Sequence, residues 1–469
     1  MALADADDPG LLTPAETSLL TDQYELAMAA SYFRRGMNEA SVFELFVREL
    51  PPHREWLVAA GLGPALSLVT HMRFGTAELE YLRSQGFGEP FLDYLSAFRF
   101  TGDVDALPEG TVCFANEPLL SVTAPRIEAQ MVETLLLNQI NFQTAIATKA
   151  ARIVVAIGGG MPDRAGGLVD FSPRRGYGSD AAMKTARSAA IAGAGGTSNV
   201  AAARRYGLRA VGTMAHSYVM SFEHEEDAFR AFMEDWPDNA VMLVDTYDTV
   251  QGVRRAISAA RATGVRLAGI RIDSGDLATL TRAARGLLDE AGCADTQIVA
   301  SGDLEEQKIV RLRAAGAPID VWGVGTDLGT SRDSPAVGGV YKLVADMPSP
   351  GHWRSAVKSS PAKATLPGPK QVFRSRVNGE MRGDVIATSS ESLEGEALLV
   401  PVMRAGQRVG AETLARMRER TAAELESLPA RLRELSPDVA PEPYPVSYSE
   451  RLKALSQQAF AGRDVEAPA

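Results

Sequence analysis

The stretch Arg209-Ala-Val-Gly-Thr-Met-Ala-His216-Ser-Tyr-Val-Met-Ser-Phe222 opens on a short apolar run and breaks into Gly212, Thr213, His216 and Ser217. Near neutral pH an imidazole serves as acid, base or nucleophile. An apolar strand that ends in small, polar and titratable groups has the pattern of an α/β barrel mouth, where the strand is core and the residues past its end meet ligand. His216 is one of five histidines, and a lone histidine is more often structural or solvated. Its neighbours argue for chemistry.

Two further patterns point to phosphate. Gly323-Val-Gly325-Thr326 follows one apolar run, and Ser301-Gly302-Asp303 follows another just before a helical pattern. Backbone N–H groups at glycines and helix starts hold phosphate oxygens, although a single Gly-x-Gly is more often a tight turn. In barrels phosphate sits after the last strands, and these two runs are the last of their series. Arg271-Ile-Asp273-Ser-Gly-Asp276 places two carboxylates and an arginine within six residues. Asp273 and Asp276 have the chemistry to hold Mg²⁺ beside a pyrophosphate. The plain alternative is a helix N-cap at Asp273 or Ser274, with Asp276 in the first turn. Strand alternation points Arg271 inward with Asp273, where it can clamp a carboxylate. Arg174 and Arg175 lie just past Asp170-Phe-Ser-Pro. Together these cations define an anionic substrate.

The elements that must position these residues run from about 150 to 328. Apolar runs at 168–171, 210–212, 241–244, 267–272, 298–300 and 321–324 alternate with helical patterns at 181–194, 201–206, 225–236, 250–263, 277–291 and 304–315. Such alternation predicts a parallel sheet, open or closed into a barrel. Six polar strand ends in a row favour the barrel, because an open sheet gathers only the ends near its switch point.

Before this region the chain reads as α+β. Thr21-Asp22 caps a helix that carries Tyr24 in its first turn and stops at Gly36. A strand follows over 40–50, then a helix over 77–98, two strands around a turn within 107–124, and a long helix over 128–155. The first dozen residues are expected to be disordered. After Asp346 a Pro/Ser/Lys-rich segment without periodicity predicts a loop or linker. Strand-like pieces span 371–389, an amphipathic helix 411–435, and a Pro-rich break 437–445.

Composition narrows the function. The 469 residues carry a net charge of −11, which argues against broad nucleic-acid or anionic-membrane binding. Two cysteines far apart, Cys113 and Cys293, offer neither metal spacing nor a disulfide framework. The acidic N-terminus is not a signal peptide, and no apolar run is long enough to span a bilayer. A cytoplasmic setting fits.

Several segments, in this order, are similar to one family: Thr21-Asp-Gln-Tyr-Glu-Leu, 138–152, 170–178, 195–217, Leu243-Val-Asp-Thr-Tyr-Asp, 269–277, Gly323-Val-Gly-Thr and Gly338-Gly-Val-Tyr-Lys-Leu. Over nearly its whole length the chain resembles the nicotinate phosphoribosyltransferases. The resemblance implies an irregular α/β (TIM-like) barrel over 150–345, packed against an α+β domain built from 1–149 and 346–469, usually as a homodimer. It implies that nicotinate and 5-phosphoribosyl 1-diphosphate give nicotinate mononucleotide and diphosphate, the first step of NAD salvage from nicotinate. It further implies Mg²⁺ and coupling to ATP hydrolysis through a transient phosphohistidine at His216. Tyr24, Thr213 and Arg271 match positions that contact nicotinate, and Thr326 matches one on the phosphoribosyl side. The residues agree in kind: Arg271 suits the pyridine carboxylate, Arg174 adds positive charge, and Ser301, Gly302, Gly323, Gly325 and Thr326 suit the 5-phosphate.

The rival within the fold is nicotinamide phosphoribosyltransferase, which resembles Gly196-Thr-Ser-Asn-Val but has an aspartate where Ser198 stands. An aspartate accepts from a carboxamide and repels a carboxylate, so Ser198 favours nicotinate. One departure is Ser172-Pro173 before Arg174, where the family often has glycine. Two readings of other classes remain. One is a catalytically dead barrel that only binds, against which His216, Arg271 and Thr326 all stand intact. The other is a Schiff-base aldolase, which needs a lysine at a strand end, and no run ends in one.

Overall fold

The computed structural model describes residues 16–159, 167–349, 351–358, 365–435 and 442–461. The first dozen residues, and most of the Pro-rich break, lie outside the described residues.

The helix expected near the start spans Gln23–Arg35 and ends at Gly36, whose left-handed φ of 66° closes it through backbone N–H bonds. Strand Ala40–Val47 follows, buried along almost its whole length. It is central to a seven-stranded antiparallel sheet that runs in the order His352–Ser355, Gly339–Ser349, Ala40–Val47, Pro118–Pro125, Asp103–Ala106, Val400–Arg404, Gln407–Arg408. Both ends of the chain therefore build one sheet. The expected division at 345 falls inside strand Gly339–Ser349, which pairs with Ala40–Val47 along its length. The division at 149 falls inside helix Glu133–Ile157.

Several local expectations are corrected, among them the helix expected over 128–155, which is two helices, Arg126–Met131 and Glu133–Ile157. The helix expected over 77–98 is two helices, Thr76–Ser84 and Glu89–Ser96, because Gly86 adopts φ 91° between them. The segment after Asp346 does not begin as a loop: its strand continues to Ser349 and turns into His352–Ser355, with Gly351 at φ 79°. The helix expected over 411–435 stops at Ser427 and resumes as Ala430–Arg433, since Pro429 cannot continue it. The 371–389 pieces form a hairpin, Lys370–Val377 with Glu380–Thr388.

The strand–helix alternation folds into a parallel sheet, ordered Gly167–Asp170, Val321–Val324, Gln297–Ala300, Gly269–Ile272, Val241–Leu243. Single bridges add Thr197 beside Asp170 and Ala210 beside Thr197. The run at 210–212 is thus one bridge rather than a strand. The expected closed barrel is not formed: among the described residues no ladder joins Val241–Leu243 back to Ala210. The sheet nevertheless curls, for Asn239 Nδ2 donates to Gly212 O at 3.0 Å across that seam. Ile270, Ile272, Ile298, Ala300, Trp322 and Val324 face the helices in the main core. Val169, Val299 and Val321 form a separate small cluster inside the curl, with Phe171, Val211 and Val241 against it. Among the described residues no helix is long and apolar enough to cross a membrane.

Candidate active site

Period-2 alternation decides which side chains enter the curl. Register pairs Arg271 with Val299, and Gly323 with Val169. Arg271 and Gly323 therefore share the inner face with the small valine cluster and lie at its carboxyl end, joined by Phe171 and Ser301. Gly323 is required there: a Cβ at this position would run into the Phe171 ring. At Gly302, with φ 90°, a Cβ would collide with Asp273 O. Both glycines are thus explained by close approach, and both keep their loops tight against the strand ends.

Arg271 is the hub. Its Nε donates to Ser301 Oγ at 2.8 Å, Nη1 to Thr213 Oγ1 at 3.3 Å and Nη2 to Asp273 Oδ1 at 2.7 Å. Its guanidinium carbon stands 5.4 Å from the centre of the Phe171 ring. A guanidinium has five N–H donors, so two remain for a ligand. The Thr213 bond joins the two sides of the curled sheet without any closing ladder.

His216 begins the short helix His216–Met220, and its Nε2 lies 3.3 Å from Asp245 Oδ1. The Asp245 side chain is only 2% exposed, against 41% for His216. Its other oxygen accepts from the Asp273 N–H at 2.9 Å and the Ser274 hydroxyl at 2.7 Å. Asp245 is thus the joint between the histidine and the Arg271–Asp273 strand end. It was visible in sequence as a strand-end carboxylate, but nothing in the sequence says which histidine it faces. Phe171 escaped for a different reason, because an apolar residue at a strand end looks like core. Burial pushes the Asp273 carboxyl up, but the Ser301 hydroxyl, Arg271 and His216 more than offset this and hold it below the usual carboxylate range.

The two glycine loops lie on neighbouring strand ends. Ser301-Gly302 follows Gln297–Ala300, and Gly323, Gly325 and Thr326 lie at the end of Val321–Val324, with Thr326 opening helix Thr326–Thr330. Ser198 stands beside the same edge, its N–H donating to Asp170 O at 2.9 Å. Arg174 and Arg175 are both exposed in a turn closed by Arg175 N–H to Ser172 O at 2.7 Å. That turn forms with Ser172-Pro173 in place of glycine.

Two expected residues stand apart. Tyr24 is 49% exposed and lines a cleft of about 430 Å³ with Asp22, Thr134, Asn138 and Pro335, none of them a strand-end residue. Burial and the nearby Glu133 push its hydroxyl pKa up. Asp276 caps helix Leu277–Glu290: Oδ1 accepts from the Ala278 and Thr279 N–H groups at 3.1 and 3.3 Å, and Oδ2 from the Thr279 hydroxyl. Both its oxygens serve the helix end, and Asp276 is itself the N-cap, where the plain alternative put Asp273 or Ser274. Asp273 has only Oδ1 engaged by side chains, which suits a cation held by one carboxylate and completed by phosphate oxygens and water. Cys113 and Cys293 are free thiols.

Comparison with known proteins agrees with this geometry. Residues 19–141 match the nicotinate phosphoribosyltransferase (NAPRTase) N-terminal domain, 167–331 the NAPRTase family and 387–456 the NAPRTase C-terminal domain. The chain is 46% identical over 440 residues to nicotinate phosphoribosyltransferase pncB2 of Mycobacterium tuberculosis, covering 93% of this chain and 92% of that one. It is 44% identical over 391 residues to nicotinate phosphoribosyltransferase of Bacillus subtilis, covering 81% and 78%. The crystal structure of human nicotinic acid phosphoribosyltransferase superposes with a TM-score of 0.79 at 27% identity, covering 94% of this chain and 99% of that one. The chain belongs to the nicotinate phosphoribosyltransferase family.

Proposed function

We infer that the chain joins nicotinate to 5-phosphoribosyl 1-diphosphate, giving nicotinate mononucleotide and diphosphate. The observation that carries this reading is Arg271, a guanidinium held by three partners beside an aromatic ring with two N–H donors to spare. A pyridine carboxylate needs a fixed cationic fork for its oxygens and an aromatic face for its ring. Loss of diphosphate leaves oxocarbenium character at the sugar. Positioning and charge stabilisation then do most of the catalysis, and no covalent chemistry is asked of Arg271. The glycine loops at 301–302 and 323–326 receive the 5-phosphate.

ATP enters through His216. With Nε2–H donated to Asp245, Nδ1 carries the lone pair. Attack of Nδ1 on the γ-phosphorus forms the N–P bond, breaks the β–γ bridging P–O bond and releases ADP; water later returns the imidazole and inorganic phosphate. The phosphoryl group adds negative charge at the rim, which orders the site for the sugar diphosphate. Asp273, whose Oδ2 has no side-chain partner, would hold Mg²⁺, which would supply charge neutralisation to the departing diphosphate. The protein works as a cytoplasmic homodimer.

The test is mononucleotide formation from nicotinate or nicotinamide, each with the sugar diphosphate and Mg²⁺, with and without ATP. Turnover of nicotinate alone, raised by ATP, is expected. Turnover of nicotinamide overturns the Ser198 argument, and no turnover of either base points to a protein of this fold that only binds. Full ATP stimulation retained in His216→Ala sinks the phosphohistidine.

A further inference from the structure

A buried lysine ties the two glycine loops to the long helix beneath them. Lys149 lies in Glu133–Ile157 with its side chain 1% exposed, and its ammonium meets the carboxylates of Glu306, Asp327 at 3.1 Å and Asp333 at 3.0 Å. These three carboxylates have oxygens within 4.8 Å of one another, a grouping that alone looks like a metal cage. The ammonium at its centre answers each of them with one of its three N–H bonds.

Each carboxylate belongs to a different part of the sheet's carboxyl edge. Glu306 opens helix Glu306–Ala314, directly after the Ser301-Gly302-Asp303 loop. That loop is drawn onto the helix by Lys308 Nζ, 2.8 Å from Gly302 O. Asp327 follows Thr326 immediately. Asp333 lies just beyond Ser331, a non-glycine residue held at φ 44°. Arg54 fixes that turn through both Asp333 oxygens, at 2.7 and 3.0 Å, and the Ser331 hydroxyl at 3.2 Å. Arg152, one turn along from Lys149, takes the other Glu306 oxygen at 3.3 Å and Glu55 at 2.7 Å.

Burial pulls the Lys149 ammonium toward its neutral form, and the surrounding carboxylates more than reverse this, so it is held charged. A buried ion cluster adds little stability over a hydrophobic replacement of the same shape, but it does fix one geometry. The geometry fixed here is the relative placement of the two loops.

We propose that Lys149 is a positioning residue for the phosphoribosyl substrate, setting the spacing between the Ser301–Gly302 and Gly323–Thr326 loops. This rests on the phosphoribosyltransferase reading. A phosphate cradle drawn from two loops needs both sets of N–H groups aimed at one point, and a shift of about 1 Å costs on the order of a hundredfold. Nicotinate sits on Arg271, Thr213 and Phe171; of these only Arg271 meets a positioned loop, through Ser301, and Asp273 and Thr213 hold it independently of that loop.

Lys149→Met keeps the length and removes the charge. Its KM for the sugar diphosphate and its Kd for ribose 5-phosphate, measured by calorimetry, are expected to rise at least about tenfold. The KM for nicotinate stays within about twofold. Should Lys149→Met fail to fold, Asp327→Asn keeps two of the three carboxylates and is expected to show the same split, reduced. Equal rises in both KM values, or unchanged ribose 5-phosphate binding, overturn the proposal. Wild-type protein that binds no ribose 5-phosphate overturns the underlying reading instead.

Discussion

Two arginines stand over phenylalanine rings at nearly the same distance, Arg271 over Phe171 at 5.4 Å and Arg374 over Phe114 at 5.6 Å. Each grips an aspartate. Arg374 is paired across the Lys370–Val377 hairpin with Asp384, its register partner. Its Nε lies 3.1 Å from both Asp384 oxygens, Nη2 lies 2.6 Å from Oδ2, and Nη1 meets Glu424 at 2.7 Å. Tyr444 adds its hydroxyl to Asp384 at 2.8 Å and stacks on Phe114 at 3.8 Å. The centre of this cluster is sealed from solvent: the side chains of Arg374 and Asp384 are 0% exposed. Arg271 is held by one carboxylate, Asp273, and by two hydroxyls, and two of its five N–H donors stay free. The same side chain is structural where carboxylates saturate it, and available for a ligand where one carboxylate and two hydroxyls hold it and leave donors over.

The comparison breaks most visibly at Arg374. Arg374→Met leaves Asp384 and the nearby Glu117 buried without their cation, while Glu424 keeps Arg376, and is expected to lower unfolding free energy by about 3–5 kcal/mol in a denaturant titration. Nicotinate constants in the remaining folded protein stay the same. Arg271→Ala reverses the pattern. Its kcat/KM for nicotinate is expected to fall on the order of 10²–10³-fold, while its melting temperature moves by only a few degrees at most. A large loss of stability in Arg271→Ala, with activity retained, would erase the contrast.

Smaller effects sharpen it. Asp276→Ala removes a helix cap and is expected to lower the melting temperature slightly, with the Mg²⁺ concentration needed for turnover unchanged. A shifted Mg²⁺ requirement makes Asp276 a metal ligand after all. The smallest effect is in acid. Asp273 is held below its unfolded pKa of about 3.9. Its ionised form therefore contributes stability above that pH, and the contribution is lost as pH falls through the lower folded value. The difference in melting temperature between the wild type and Asp273→Asn is expected to be flat from about pH 5 to 7 and to narrow only below about pH 4. A difference already narrowing at pH 6 contradicts a depressed carboxyl.

Much of the site was legible because strand ends advertise themselves. Alternation alone puts Arg271 inward, and the glycines at 302 and 323 stand where side chains would collide with Asp273 O and Phe171. Asp276 was not decidable, since a cap and a metal ligand share one sequence pattern. Tyr24 was placed among site residues by resemblance, yet in this chain it lines a separate cleft.

The sequence by itself determined the order of elements, the polar strand ends and the family, because these depend on local periodicity and on motifs that are contiguous in the chain. Only the tertiary structure decided that the parallel sheet curls without closing, that Gly339–Ser349 returns to pair with Ala40–Val47, that Asp245 faces His216, and that Lys149 sits among three carboxylates from distant loops. Those outcomes turn on which of many similar charges and edges meet. Long-range packing settles that choice, and no spacing along the chain records it.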